Sequence, residues 1–263
     1  MAKSAGWPDT MSTLTAHILG KGIVFTADRN RTTTNLKSGK TSQNKVHKIF
    51  RWPRKDALVG NMGRADIDGV PVDDWLREFI NQHPDVSTPS VVAKALQAEI
   101  QAATSKLKPK SQFIQFAAFG EKDGVRVPEY YHISNVHGMD DAKYHAPEKW
   151  YGCSEELLGN WMKDVAPADM RRVLQEQADR YKPQWFHHSY KLGVYNTLEA
   201  GAKDAFEALH ESKMLTPPRS LTDWEKHAKF WILLYGAYFV AFHPKDQQFV
   251  GGAEALSISW PAK

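Results

Sequence analysis

The chain has 263 residues, of which 42% are hydrophobic and 24% charged, and a formal net charge of +4. These values describe a globular soluble chain with material for a sizeable core, and so mild a charge gives no reason to expect a polyanionic partner. The lone cysteine, Cys153, excludes an internal disulfide and fits a reducing cytoplasm, and no apolar run reaches the roughly 18 residues of a membrane span.

In chain order, "STLTAHI" and "GIVFTAD" predict a hairpin turning at Gly20-Lys21-Gly22. "KVHKIFRW" and "DALVGNMG" predict two more strands before residue 64, the second running into a glycine-punctuated turn. Two helices follow. "VDDWLREFINQ" places Trp75, Phe79 and Ile80 on one face, and "STPSVVAKALQAEIQAAT" opens on a Ser-Thr-Pro start signal. "SQFIQFAAFGE" and "VPEYYHISNVHG" return to strands around a Lys122-Asp123-Gly124 turn. "EKWYGCS" predicts a short strand entering the helix "SEELLGNWMKD", capped by Ser154. "ADMRRVLQEQADRY", "YKLGVYNTLEAGAKDAFEALHES" and "LTDWEKHAKFWILLYGAYFVAF" predict further helices, and "QQFVGGAEALSISW" a last, glycine-broken strand. This order lacks βαβ alternation and predicts an α+β protein with antiparallel sheets and helices segregated on the outside.

The segment from Arg29 to Arg64 holds ten Lys or Arg against one acid, Asp56. No aromatic-interleaved or Gly-Arg-rich motif accompanies it, so it reads as a solvated strand-and-loop region rather than a nucleic-acid surface. The chain has no Walker-type phosphate loop and no Gly-x-Ser-x-Gly elbow, and its histidines, His187-His188 included, show no zinc spacing.

The opening stretch carries the chemistry. Ser12 lies sixteen residues before Asp28, and Lys45 falls on the next predicted strand. A hydroxyl needs a base beside it, and a terminal residue brings its own: an α-amino group titrates near roughly 7.7–8.0. A nearby ammonium such as Lys45 favours the deprotonated amine and hydroxyl, Asp28 holds that lysine, and the N–H groups of Gly60-Asn61-Met62-Gly63 offer an oxyanion site.

These residues, "STLTAHILGKGIVFTADRNRTTT…SQNKVHKIF…LVGNMGRAD", resemble the start of a proteasome β-type subunit. Carried over position by position, Ser12 matches the terminal nucleophile, with Thr13 the alternative. Gly22 matches the strand glycine, Asp28 the aspartate and Lys45 the lysine. Gly63 and Ala65-Asp66 match the turn, and Met62 the position whose N–H receives the oxyanion. The interval from Asp28 to Lys45 is one residue longer than the family's, and two extra residues precede the glycine turn. Cys153 in "WYGCS" stands where a supporting serine is expected. "KDQQFVGG" offers Asp246 and Gly251-Gly252, with Val250 in place of the serine. The match is detailed over residues 12–66 and loose over the last twenty. The stretch 155–243 matches as helices only, fuller than in ordinary β subunits, as in the bacterial homologues of the Anbu and betaproteobacterial kind.

The resemblance implies a four-layer αββα sandwich of the N-terminal-nucleophile hydrolase type. It makes residues 1–11 an extension or propeptide and 12–263 one peptidase domain, with Ser12 exposed by trimming or by translation from Met11. It implies a cytoplasmic, self-compartmentalising serine- or threonine-type peptidase acting on peptides or unfolded proteins. No cofactor, metal, nucleic acid or membrane is called for, and no unfoldase partner is identified. Self-association into a closed ring of about six or more subunits, or an open helical equivalent, follows from the need to enclose such a site, and the aromatic segment Lys182–Tyr195 offers contact material. The competing expectations are a catalytically silent ring or scaffold subunit and a small-amide amidohydrolase of the same fold.

Overall fold

The computed structural model describes residues 13–34, 41–63, 65–67, 69–105, 112–134, 162–179, 185–189, 204, 208–209, 211–242 and 251–262. Two four-stranded antiparallel sheets dominate. The first has the order β11-β1-β2-β12, from Trp185–Ser189 (β11), Thr13–Leu19 (β1), Gly22–Asp28 (β2) and Ala253–Ser259 (β12). The second has the order β10-β9-β6-β5, from Val125–Ser134 (β10), Gln112–Lys122 (β9), Ala57–Gly63 (β6) and Ile49–Arg51 (β5). Two small ribbons pair Asn30–Thr34 (β3) with Thr41–Lys45 (β4), and Asp66–Ile67 (β7) with Val70–Pro71 (β8). The described helices are α1 (Val72–Gln82), α2 (Pro89–Thr104), α3 (Pro167–Asp179) and α4 (Leu221–Phe242). None is long and apolar enough to cross a membrane.

The period-2 pattern explains how the sheets meet. Leu14, Ala16 and Ile18 of β1 and Ile23, Phe25 and Ala27 of β2 form one buried cluster with Leu58, Met62, Phe113, Ala117 and Tyr130 of the other sheet. The alternate residues of that second sheet, including Val59, Ile114, Phe116 and Ala118, pack with Leu76, Phe79, Leu96 and Ile100 of α1 and α2. Leu19 and Val24 pack with Ala178 of α3 and Trp224 and Ala228 of α4. Helix α4 starts where Ser220 and Asp223 cap each other: Asp223 N–H donates to Ser220 Oγ (3.1 Å), and Ser220 N–H to Asp223 Oδ2 (3.0 Å). The β9–β10 hairpin turns on Asp123 (φ 53°) and Gly124 (φ 72°), the two left-handed residues of a type I′ turn.

The antiparallel α+β organisation predicted from sequence is present, as are the strands of the opening hairpin, the β9–β10 pair and the helices at α1, α2, α3 and α4. Three details differ. The polar segments 30–34 and 41–45 pair as a ribbon, Asn30 opposite Lys45 and Thr34 opposite Thr41, where the next strand after Asp28 was expected to begin only at Lys45. Gly60-Asn61-Met62-Gly63 is the end of strand β6 rather than a turn, paired with β9 as far as Gly63 opposite Gln112. Trp185–Ser189, expected to supply subunit contacts, is a strand beside β1, with Thr13 opposite Ser189 and His17 opposite Trp185. The predicted strand "EKWYGCS", the helix opened by Ser154 and most of the helix expected from Tyr190 lie outside the described residues.

Two consequences are measurable. Gly22 has φ 153°, and a Cβ there would lie 2.1 Å from the Ile258 carbonyl oxygen on β12. Gly22→Ala should therefore destabilise the protein by about 1–3 kcal/mol in urea unfolding, and an unchanged midpoint would contradict this packing. In α4, burial pushes His227 down to about 4, and its Nε2 accepts from the Trp231 indole N–H at 3.1 Å. The unfolded chain thus binds the proton more tightly, so this stabilisation is complete above the ordinary histidine pKa of about 6.5 and declines as pH falls towards 4, by up to about 3 kcal/mol. His227→Gln should flatten the stability–pH curve in that window; an unaltered slope would count against a buried neutral histidine.

Candidate functional site

Strand β2 ends on Asp28, which is fully buried where β1 begins and β3 departs. Its carboxylate is crowded with donors. Thr13 N–H donates to Oδ1 at 2.7 Å and Asn30 N–H to Oδ2 at 3.1 Å. The Lys48 ammonium donates to both oxygens, at 3.0 and 2.9 Å. Burial pushes the Asp28 carboxyl above its ordinary value; the Lys48 ammonium opposes that rise most, followed by the Thr13 N–H.

The lysine paired with Asp28 is therefore Lys48, not Lys45. The cause is the β3–β4 ribbon. Lys45 stands directly opposite Asn30, and its Nζ donates to Asn30 Oδ1 and, at 3.2 Å, to the Gly251 carbonyl. The chain needs three more residues to leave the ribbon and enter the gap between the sheets. Lys48 then sits just before β5, its side chain 7% exposed. The signal was available: Lys48 immediately precedes the apolar pair Ile49-Phe50, so its stem is drawn inward with the strand.

Lys48 is also held along its backbone. Its carbonyl accepts from Asn61 N–H on β6 at 2.9 Å. Its N–H donates to Glu254 Oε1 on β12, which also accepts from Ile49 N–H at 3.1 Å. Glu254 had no place in the sequence reading. The Asn61 bond brings β6 to the lysine one residue before Met62. Met62 is in the core at 1% exposure, and Gly63 ends the strand at φ 113°, a conformation that favours glycine. Gly251 accepts from Arg29 N–H at 3.3 Å as well as from Lys45, and a Cβ on it would lie 2.6 Å from Asn30 Nδ2. Ser12, Cys153 and Asp246 lie outside the described residues. The neighbour of Ser12 in the chain, Thr13, is 0% exposed. Among the described residues, no group of three or more His, Cys, Asp or Glu side chains is arranged to hold a metal ion.

No family model matches the chain, and no curated protein matches it. Among solved structures it is similar to a mutant of Anbu from Hyphomicrobium sp. strain MC1, with 15% identity, a TM-score of 0.48, and coverage of 94% of this chain and 82% of that one. It is similar also to Anbu (ancestral beta-subunit) from Yersinia bercovieri, with 11% identity, a TM-score of 0.48, and coverage of 94% and 81%. Both carry the name Anbu, one of the bacterial homologues that the helical stretch 155–243 resembles. At these values the likenesses carry no residue roles across, and the chemistry follows from this chain's own side chains.

The two lysines make opposite predictions. Asp28→Ala should cost about 3–5 kcal/mol, because it leaves the Lys48 ammonium buried without its counter-charge. Lys45→Ala, which removes a largely solvent-exposed side chain, should stay within about 1 kcal/mol. Equal losses in chemical denaturation would mean that the ion pair is misassigned.

Proposed function

We propose that the chain is a peptidase of the N-terminal-nucleophile type, with Ser12 as the nucleophile once it is the first residue. The observation that supports this is the bond from Thr13 N–H to Asp28 in the same buried site as the Lys48 ammonium. The peptide that joins residue 12 to residue 13 is fastened to the carboxylate that holds the lysine. In this reading the terminal hydroxyl and amine of residue 12 work beside that fixed positive charge.

In this reading the Ser12 Oγ–H gives its proton to the Ser12 α-amine as Oγ bonds to the peptide carbonyl carbon. Lys48 disfavours a second positive charge on that amine and so keeps it available as a base at neutral pH. Asn61 N–H faces Lys48, so by strand alternation the N–H of Gly63 lies on the same edge of β6 and receives the oxyanion, whereas that of Met62, the donor expected from the motif, faces β9. The amine passes its proton to the leaving nitrogen, the C–N bond breaks, and an ester on Ser12 remains. Water, deprotonated by the same amine, adds to that ester; the acid leaves and Oγ recovers its proton.

The helices packed on the outward face of each sheet support the finer reading of a four-layer αββα sandwich, formed by one domain after a short N-terminal extension. The hazard of an open peptidase site supports enclosure in a homo-oligomeric ring in the cytoplasm, with peptides or unfolded protein as substrate. Cys153 and Asp246 enter as auxiliary residues near the amine, on the motif alone.

The test is N-terminal sequencing of the purified chain, then treatment with a peptide epoxyketone and mass analysis of its peptides. The expected result is a chain that begins at Ser12 and carries the added mass on its first peptide only. An intact Met1 with no labelling supports the silent-subunit alternative; labelling on Cys153 overturns the mechanism. Lys48→Ala should lower the labelling rate at least about 100-fold and Lys45→Ala less than about threefold, and the reverse order would reject Lys48 as the charge beside the nucleophile.

A further inference from the structure

We propose that Glu254 is the positioning residue that sets Lys48 against Asp28, a role that rests on the reading of that pair as part of a hydrolytic site. Among the described residues β5 is the edge strand of its sheet, paired with β6. The N–H groups at the start of an edge strand need acceptors from elsewhere. Here the acceptor is a side chain of the other sheet. Glu254 Oε1 takes the N–H groups of Lys48 and Ile49, while Oε2 lies 2.7 Å from His47 Nδ1. One carboxylate, its side chain 11% exposed, ties three consecutive residues from a strand that is remote in sequence.

The placement of Glu254 makes this more than edge protection. On β12 it stands opposite Ala27, the residue before Asp28. The strand that carries the carboxylate partner of Lys48 is therefore hydrogen-bonded to the strand that grips the lysine backbone. Lysine has a long, flexible stem, so its Nζ stays on Asp28 only if the backbone it grows from is fixed. Without Glu254, the N–H groups of Lys48 and Ile49 lose this acceptor, while the Lys48 carbonyl keeps its bond from Asn61 N–H. The ammonium then spends less time on Asp28, and the chemical step slows while substrate binding does not. The function of Glu254 lies in its acceptor oxygens. A glutamine keeps an oxygen for the two N–H groups and presents its NH2 to the His47 ring, so it should substitute; an alanine should not.

The experiment compares the whole chain with Glu254→Ala and Glu254→Gln, reading kcat and KM on an unstructured fluorogenic peptide, the epoxyketone labelling rate and the melting temperature. Glu254→Ala should lower kcat and labelling by about 10- to 100-fold with KM within about twofold, and Glu254→Gln should restore both to within about threefold. Equal rates in all three proteins, or equal loss in Ala and Gln, overturn the proposal. If Glu254→Ala does not fold, Glu254→Asp, one methylene short, should show the same kcat-selective loss; wild-type rates there count against the role. Should the parent chain prove unreactive, the peptidase reading fails by itself. The positioning role is then decided by crystal structures: Lys48 Nζ should leave Asp28 in the Ala variant and stay within hydrogen-bond reach in the Gln variant, and an unmoved Nζ in the Ala variant overturns it.

Discussion

A carboxylate with no solvent exposure and an ammonium almost as deeply buried set the terms for the surrounding structure. Desolvating two charges costs several kcal/mol per ion, and a buried pair often does no better than apolar side chains of the same volume. Such a pair is tolerated only when its remaining lone pairs and protons are met. Asp28 meets this condition with backbone N–H groups from both of its flanks, Thr13 and Asn30, in addition to both contacts from Lys48. The residues around it are committed by that need: β1 must present the Thr13 N–H, β3 must leave at Asn30, and Lys48 must enter from the second sheet. Such a pair adds little net stability of its own; in the proposed peptidase it serves as the fixed charge beside the nucleophile.

Three segments distant in sequence converge to build it: residues 28–30, 45–49 and 251–254. The glycine pair makes the third approach feasible. Gly251 passes so near Asn30 that a side chain on it would collide with the amide, and Gly252 takes φ 66°. The Gly251 carbonyl then serves both Arg29 and Lys45, which anchors the ribbon, and Glu254 follows at the right distance to hold the backbone of Lys48. The ribbon and the clasp divide the labour between two lysines: Lys45 ties the surface, and Lys48 supplies the buried charge.

Much of this was legible in the sequence, and the exceptions have physical reasons. Alternating apolar residues gave β1, β2, β9 and β10, and 3.6-residue spacing gave α1, α2, α3 and α4, because those elements bury one regular face. The β3–β4 ribbon, Asn-Arg-Thr-Thr-Thr against Thr-Ser-Gln-Asn-Lys, has no apolar alternation to read; pairing rather than burial organises it. That omission moved the site. The next predicted strand and the motif both pointed to Lys45; with two strands over 30–45 it stands opposite Asn30, and the ammonium beside Asp28 is that of Lys48. Glu254 could not be found locally, since its donors lie more than two hundred positions away.

The Thr13 bond also bears on which hydroxyl can act. Were Thr13 the terminal residue, its nitrogen would be an amine 2.7 Å from the Asp28 carboxylate. A carboxylate at that distance stabilises the ammonium form, and an ammonium cannot accept the proton of a hydroxyl. The Thr13 side chain is moreover fully buried. With Ser12 terminal, the same nitrogen is an amide N–H, which suits the carboxylate as a neutral donor. The free amine then lies one residue further along the chain, outside that bond. A single residue of register thus converts Asp28 from a group that would disable the base into one that anchors the chain beside it. In the proposed peptidase, this hydrogen bond favours Ser12 over Thr13 as the nucleophile.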